Sequence, residues 1–233
     1  MQIARVALAA VLIPGSLTAA AAQERERERA AMVALIVAQG VRDSATLAAM
    51  RAVPRHAFVP DAYRDRAYGD HPLPIGHGQT ISQPYIVAYM TEMLDPAPGM
   101  EVLEVGTGSG YQAAVLAEAG VTVSTMEIIG ALAESARDRL RRLGYDRVTV
   151  RHGDGHYGWP ERAPFDAVIV TAAAGYIPPA LVEQLKAGGR MIIPVGSVYG
   201  VQNLILVEKS AAGEITTRTL LPVRFVPMVG GER

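Results

Sequence analysis

Glu101-Val-Leu-Glu-Val-Gly-Thr-Gly-Ser-Gly110, running on into Tyr111-Gln-Ala-Ala-Val-Leu-Ala-Glu118, reads as an apolar strand, three alternate glycines and a helix. Such a junction is expected to gather unpaired backbone N–H groups and the positive end of a helix dipole at one point, where missing side chains let a ligand lie against the main chain. The spacing is G-x-G-x-G. A dinucleotide fingerprint, G-x-G-x-x-G, would need glycine at position 111, which is Tyr111. Glu104, two residues before Gly106, would repel a pyrophosphate and suits an ammonium or sulfonium charge. The glycines alone also fit a turn that only tightens a strand-to-helix joint, so the other loops must decide.

The strands and helices around this segment alternate. Strands are expected near 101–105, 121–126, 147–151, 165–171 and 189–195, with helices near 110–119, 130–143 and 178–186 between them. That order specifies a parallel sheet covered on both faces. The runs 201–208 and 214–223, joined by Lys209-Ser-Ala-Ala-Gly213, leave no room for a helix and predict an antiparallel hairpin at the sheet edge. The fold expected is α/β and Rossmann-like, of the class I methyltransferase type, over residues 99–233.

Upstream, residues 23–98 read as a helical, loop-rich cap. Met32, Val33, Leu35, Ile36 and Gln39 sketch one amphipathic helix. In a second, Asp43 or Ser44 is the cap, Leu47, Met50 and Val53 face inward and Pro54 is the stop. Pro96-Ala-Pro98-Gly99 marks the boundary with the core. Residues 1–22 resemble a secretory leader, with Arg5, an apolar run from Val6 and Ala20-Ala-Ala22 before Gln23. The run is interrupted by Pro14 and Gly15 and is short for a membrane span.

Composition narrows the chemistry. A net charge of -1 gives no general attraction to nucleic acid or anionic membrane, and no nucleic-acid partner or stable membrane association is expected. The arginines from Arg137 to Arg147 alternate with Glu134, Asp138 and Asp146 and read as a solvated helix face. Without cysteine there is no thiolate nucleophile or thiolate metal site. His152 and His156 are separated by Gly153-Asp-Gly155, which spoils the helix that would aim both at a metal, and no metal is expected. No G-x-S-x-G occurs, and His77 near Ser82 is no basis for a triad.

In open α/β sheets ligands sit beyond the carboxyl ends of the strands. Glu127 follows the second strand, where a carboxylate can accept from two ribose hydroxyls or can simply start a helix. Asp154, between Gly153 and Gly155, can accept from an adenine amino group or can serve an Asp-Gly turn. Glu104, Glu127 and Asp154 together fit the parts of one ligand, S-adenosyl-L-methionine.

Leu73-Pro-Ile-Gly-His-Gly-Gln-Thr-Ile-Ser-Gln-Pro84 precedes an apolar helix from Tyr85 to Leu94. With Val53-Pro-Arg-His-Ala-Phe-Val-Pro60, the glycine loop, Gly153-Asp-Gly155, Ala163-Pro-Phe-Asp166, Val170-Thr-Ala-Ala173 and Arg224-Phe-Val-Pro227, it closely resembles the protein-L-isoaspartate O-methyltransferase family, in colinear order from about residue 35 to 228. Gln79-Thr-Ile-Ser-Gln-Pro84 is the most specific element.

The resemblance implies methyl transfer from adenosylmethionine to the free α-carboxylate of L-isoaspartyl residues in damaged proteins and peptides, the first step of their repair. It also implies that Ser82 is the active-site serine, with Thr80 and Ile81 lining the same pocket. Glu104, Gly106, Thr107, Gly108 and Gly110 would form the cofactor loop, Glu127 the ribose acid, and Gly153 with Asp154 the adenine loop. Arg224 to Pro227 would lie near the peptide groove, and Ser82 could equally cap the helix before Pro84. A methyltransferase of small molecules or RNA, a non-catalytic cofactor scaffold and a nicotinamide dehydrogenase are the rival readings. The family is expected in the cytoplasm, where the methyl donor is made; the leader-like residues argue for export.

Overall fold

The computed structural model describes residues 14–197 and 199–230. Of the leader expected over 1–22, residues 1–13 lie outside the described residues. The rest opens helix α1, Pro14–Ala38, which runs through Ala22 without a break.

Three helices precede the large sheet. α1 buries Met32, Val33 and Ile36, but Leu35, expected on that face, is 52% exposed. A spacing of 3 and 4 residues already fills the stripe with Met32, Val33 and Ile36, and Leu35 falls on its far side. Helix α2, Ser44–Ala52, is capped by Asp43, whose side chain accepts the Thr46 N–H at 2.6 Å, and ends at Val53 before Pro54. Two short 3-10 turns, Arg55–Phe58 and Asp61–Arg66, follow. A small antiparallel pair, β1 (Leu73–Gly76) with β2 (Gln79–Ile81), leads into helix α3, Pro84–Leu94. His77, with φ of 52°, and Gly78, with φ of 71°, make its tight turn.

The large sheet contains β3 (Glu101–Val105), β4 (Thr122–Glu127), β5 (Val148–His152), β6 (Phe165–Val170), β7 (Leu185–Gly196), β8 (Gln202–Lys209) and β9 (Ile215–Val223). Their order is β5-β4-β3-β6-β7-β8-β9. The pairs from β5 to β7 are parallel, and β8 and β9 add antiparallel edge strands. Helices α4 (Tyr111–Glu118), α5 (Gly130–Arg142) and α6 (Pro179–Glu183) connect the parallel strands. α6 is shorter than its sequence suggests, because Leu185 and Lys186 already belong to β7, which bends over Gly188 and Gly189.

The pleat sends alternate residues to opposite faces. Val102, Ala167, Ile169 and Ile192 pack with Met90 and Leu94 of α3 and Leu116 of α4. Leu103, Val105, Val168 and Ile193 pack on the other face with Leu181 of α6. A third cluster joins α1 and α2 to Tyr111, Val115 and Leu140. The helices before the sheet thus rest on the helix that follows the glycine loop.

Candidate active site

The strand order reverses at β3, where β4 lies on one side and β6 on the other, so the carboxyl end of β3 opens a crevice. A cleft lies there. Glu104, Gly106, Thr107 and Gly108 form its floor, Glu127 and Gly153 one wall, and Thr80, Ile81 and Ser82 come from the opposite side.

The glycine loop works differently from an anion cradle. Gly106 N–H and Thr107 N–H both donate to Met126 O, at 2.8 and 3.1 Å, Gly108 N–H donates to Glu127 Oε2 at 2.8 Å, and Gly110 N–H donates to Thr107 O at 2.7 Å. The expected unpaired N–H groups are therefore confined to Ser109 and the first turn of α4, where Tyr111 and Gln112 line the cleft. The loop lashes the end of β3 to the end of β4 and displays carboxylates. Gly106 adopts φ of 103°, and a side chain there would run into the Thr171 hydroxyl. Gly110, with φ of 87°, is the residue before α4 and packs on Leu140, outside the cleft lining.

Glu104 is fully buried, and neither of its oxygens has a hydrogen-bond partner among the described residues. Burial pushes its carboxyl up to about 8, opposed by the neighbouring Thr125 hydroxyl and reinforced by the charge of Glu127. An orphaned buried carboxyl on a cleft floor fits a ligand that brings a positive charge. Glu127 accepts from Gly108 N–H through one oxygen and from Ile129 N–H, at 3.0 Å, through the other. Each oxygen keeps a lone pair for a ligand hydroxyl.

Asp154 has partners of its own within the protein. Gly153 and Gly155 line the cleft, and the Asp154 carboxylate between them accepts from His156 N–H at 2.9 Å and lies against Gly230. It holds the 3-10 turn Gly155–Tyr157, as the turn reading of the sequence has it. Ser82 caps nothing: the residue before α3 is Gln83, and Ser82 is left facing the cleft. The carboxylate of Asp70 does the capping instead, accepting Tyr85 N–H at 2.9 Å and the Gln83 side chain at 2.9 Å.

Several lining residues had no signal of their own in the sequence. Ile128 and Ile129 follow Glu127 as two adjacent apolar residues before a helix, a pairing that neither a strand nor a helix face explains. Met228 and Val229, and with them Val226 and Pro227, which the resemblance did place near the peptide groove, reach the cleft because Ala173, beyond β6, exchanges backbone hydrogen bonds of 2.8 Å with Val226 and Met228. Tyr111 also lines it, its ring under the Arg55 guanidinium at 4.8 Å and edge-on to Phe58 at 5.6 Å.

A second cleft, of about 440 Å³, opens beside the first and shares Thr80, Ser82, Thr171 and Val226 with it. Its own lining includes Gln83, Ile86, Arg224 and Phe225. No group of three or more His, Asp or Glu side chains suited to a metal ion occurs among the described residues.

A doubly wound sheet of this order, with antiparallel edge strands and an acid-floored glycine loop at its switch point, defines an adenosylmethionine-dependent methyltransferase of the Rossmann-like class. The model of the family described as protein-L-isoaspartate(D-aspartate) O-methyltransferase matches residues 26–233, and the chain belongs to that family. It is 56% identical over 234 residues to protein-L-isoaspartate O-methyltransferase 1 of Cupriavidus necator, covering 97% of this chain and 90% of that one. A relative of the same description from Opitutus terrae is 56% identical over 221 residues, 94% of each chain. Among solved structures, a protein-L-isoaspartate O-methyltransferase superposes with a TM-score of 0.80 at 31% identity, covering 87% of this chain and 66% of that one. A putative enzyme of the family from Plasmodium falciparum, in complex with S-adenosyl-L-homocysteine, gives 0.72 at 26% identity, covering 85% and 97%.

Proposed function

We infer that this chain esterifies the free α-carboxylate of L-isoaspartyl residues in damaged proteins and peptides, with S-adenosyl-L-methionine as methyl donor, and so begins their repair. The observation that carries the reading is the pair of clefts meeting at Ser82. The inner one is lined by the carboxylates of Glu104 and Glu127, and the outer one has no carboxylate side chain among the described residues that line it. A cationic donor and an anionic acceptor are thereby sorted to opposite sides of one hydroxyl.

The donor supplies a methyl group on a positively charged sulfur. Glu104 would take its cationic amino acid end, Glu127 its ribose hydroxyls, and Ile128, Ile129 and the glycines at 153 and 155 would flank its base. A peptide α-carboxyl ionises with a pKa of about 3.3–3.7, so the acceptor is already anionic at neutral pH and the site has no proton to remove. What the chain contributes is position. The Ser82 hydroxyl donates to the acceptor carboxylate and fixes which oxygen faces the inner cleft, and the tail at Val226 to Val229 helps exclude water.

The test is a paired assay with a labelled methyl donor on an isoaspartyl peptide and its aspartyl twin. Label in the isoaspartyl peptide alone is expected. Equal label in both, or in neither, overturns the reading.

For location, no helix among the described residues is long and apolar enough to cross a membrane. We propose the cytoplasm, where the methyl donor is made, and keep export as the second reading on the leader-like residues 1–22. N-terminal sequencing after cell fractionation decides, since an N-terminus at Gln23 in an exported fraction excludes the first.

A further inference from the structure

The outer cleft has a charge of its own. Among the described residues lining it, Arg224 is the sole charged side chain, and Pro72, Ile86, Pro222 and Phe225 beside it are apolar. Arg224 is exposed and has no ion pair or hydrogen-bond partner among the described residues. Its base is nevertheless firm. Val223 before it is buried at the end of β9, and Phe225 N–H after it donates to Gln202 Oε1 at 2.9 Å, where Gln202 is itself 1% exposed. A guanidinium on a fixed stretch of backbone, standing in an otherwise uncharged groove, selects for a carboxylate.

That carboxylate is not the reacting one. The acceptor must sit where the two clefts meet, at Ser82, Thr80, Thr171 and Val226, and Arg224 lines only the outer cleft. At about 440 Å³ this cleft falls within the roughly 300–1,000 Å³ that drug-sized ligands fill, more than the reacting side chain alone needs. We propose that Arg224 is a specificity residue that favours isoaspartyl substrates carrying a second carboxylate side chain within two residues of the isoaspartyl position. The inference rests on the isoaspartyl reading above and extends it to the choice among substrates.

The experiment measures kcat/KM on three isoaspartyl peptides in which both flanking residues are Glu, Gln or Lys. The unaltered protein is expected to rank them Glu over Gln over Lys, with about a five-fold step between Glu and Gln, the size of a partly exposed charge pair. Arg224→Glu reverses the order and Arg224→Gln flattens it, while adenosylmethionine affinity by calorimetry stays unchanged in both and reports an intact fold. Rising salt shrinks the preference, as the Debye length falls from about 10 Å at 0.1 M to about 3 Å at 1 M. The same ranking in Arg224→Glu as in the parent, or no ranking in the parent, overturns the proposal. Transfer to none of the three peptides overturns the substrate reading beneath it, a result distinct from equal transfer to all.

Discussion

The Asp70 carboxylate accepts the backbone N–H of Tyr85 at 2.9 Å, and by that bond a loop residue caps a helix fifteen positions ahead of it. Its other oxygen takes the side-chain amides of Gln83, at 2.9 Å, and Gln39, at 2.8 Å. The residues just after Ser82 are thus held from outside their own helix, and Ser82 keeps its hydroxyl for the cleft. Removing a capping carboxylate costs about 0.5–2 kcal/mol of local stability. Asp70→Ala is expected to lower kcat roughly ten-fold while adenosylmethionine affinity changes little. Asp70→Asn, which can still accept from Tyr85, restores most of the rate. Steady-state kinetics with calorimetry on both variants checks this, and an equal loss in the two would rule it out.

Ser82→Ala separates chemistry from binding. The hydroxyl lies at the junction of the clefts and is not needed to deprotonate an acceptor that is already ionised. A lost orienting hydrogen bond of about 1–3 kcal/mol predicts a fall in kcat of roughly ten- to a hundred-fold, with the donor Kd nearly intact. Parallel loss of both would mean that Ser82 serves the donor and not the acceptor.

Glu127→Gln should show the opposite split. The carboxylate ties Gly108 N–H to Ile129 N–H, and an amide can accept through only one of its two ends. Leaving one buried N–H without its charged acceptor costs about 1.5–3 kcal/mol, so the donor Kd should rise about ten- to a hundred-fold while kcat at saturation changes less. A Kd within two-fold of the parent, by calorimetry, would contradict the role given to Glu127.

Glu104 makes stability depend on pH. Its pKa is raised by folding from 4.5 to about 8, so between these values the folded chain binds the proton that the unfolded chain has released. Its contribution is full below about pH 4.5, declines as pH climbs and is gone above about pH 8. Without ligand, Glu104→Gln should therefore match the parent at acid pH and exceed it in Tm at pH 8 to 9. Melting curves across that range test the sign. A cationic ligand favours the ionised carboxyl, so donor binding near pH 7 should release a proton, detected as a binding heat that depends on the buffer's ionisation enthalpy. Identical heats in two buffers would count against it.

Gly155→Ala probes packing under the inner cleft. A Cβ there would collide with the Val105 side chain at the end of β3, and both residues lie against the cleft. Overpacking of this kind costs about 1–3 kcal/mol. A lower Tm and a weaker donor Kd are expected together, whereas Gly175→Ala, which meets nothing within 4 Å, should leave both unchanged.

The sequence alone determined those features that a few adjacent residues settle among themselves. The strand, glycine turn and helix from Glu101 to Glu118, a cap at Asp43 or Ser44, the stop at Pro54 and the antiparallel edge after Gly200 all follow from backbone freedom, capping and hydrophobic period within one element. The cleft residues Glu104, Gly106, Thr107, Gly108, Glu127 and Gly153 were legible for the same reason, because they stand at strand ends. Only the tertiary structure decided where polar side chains spend their hydrogen bonds. Asp154 turns to His156 and Gly230, Asp70 reaches Tyr85, the loop N–H groups close on Met126 and Glu127, and Leu35 is left outside a stripe already filled. Asp70 with Tyr85, Gly108 with Glu127 and Asp154 with Gly230 are pairs 15 or more residues apart, brought near by the packing of strands and helices, and no local spacing encodes them. Likewise the meeting of Ser82, from before the sheet, with Val226, from beyond it, exists only because both chain ends fold over the carboxyl edge of β3 and β6.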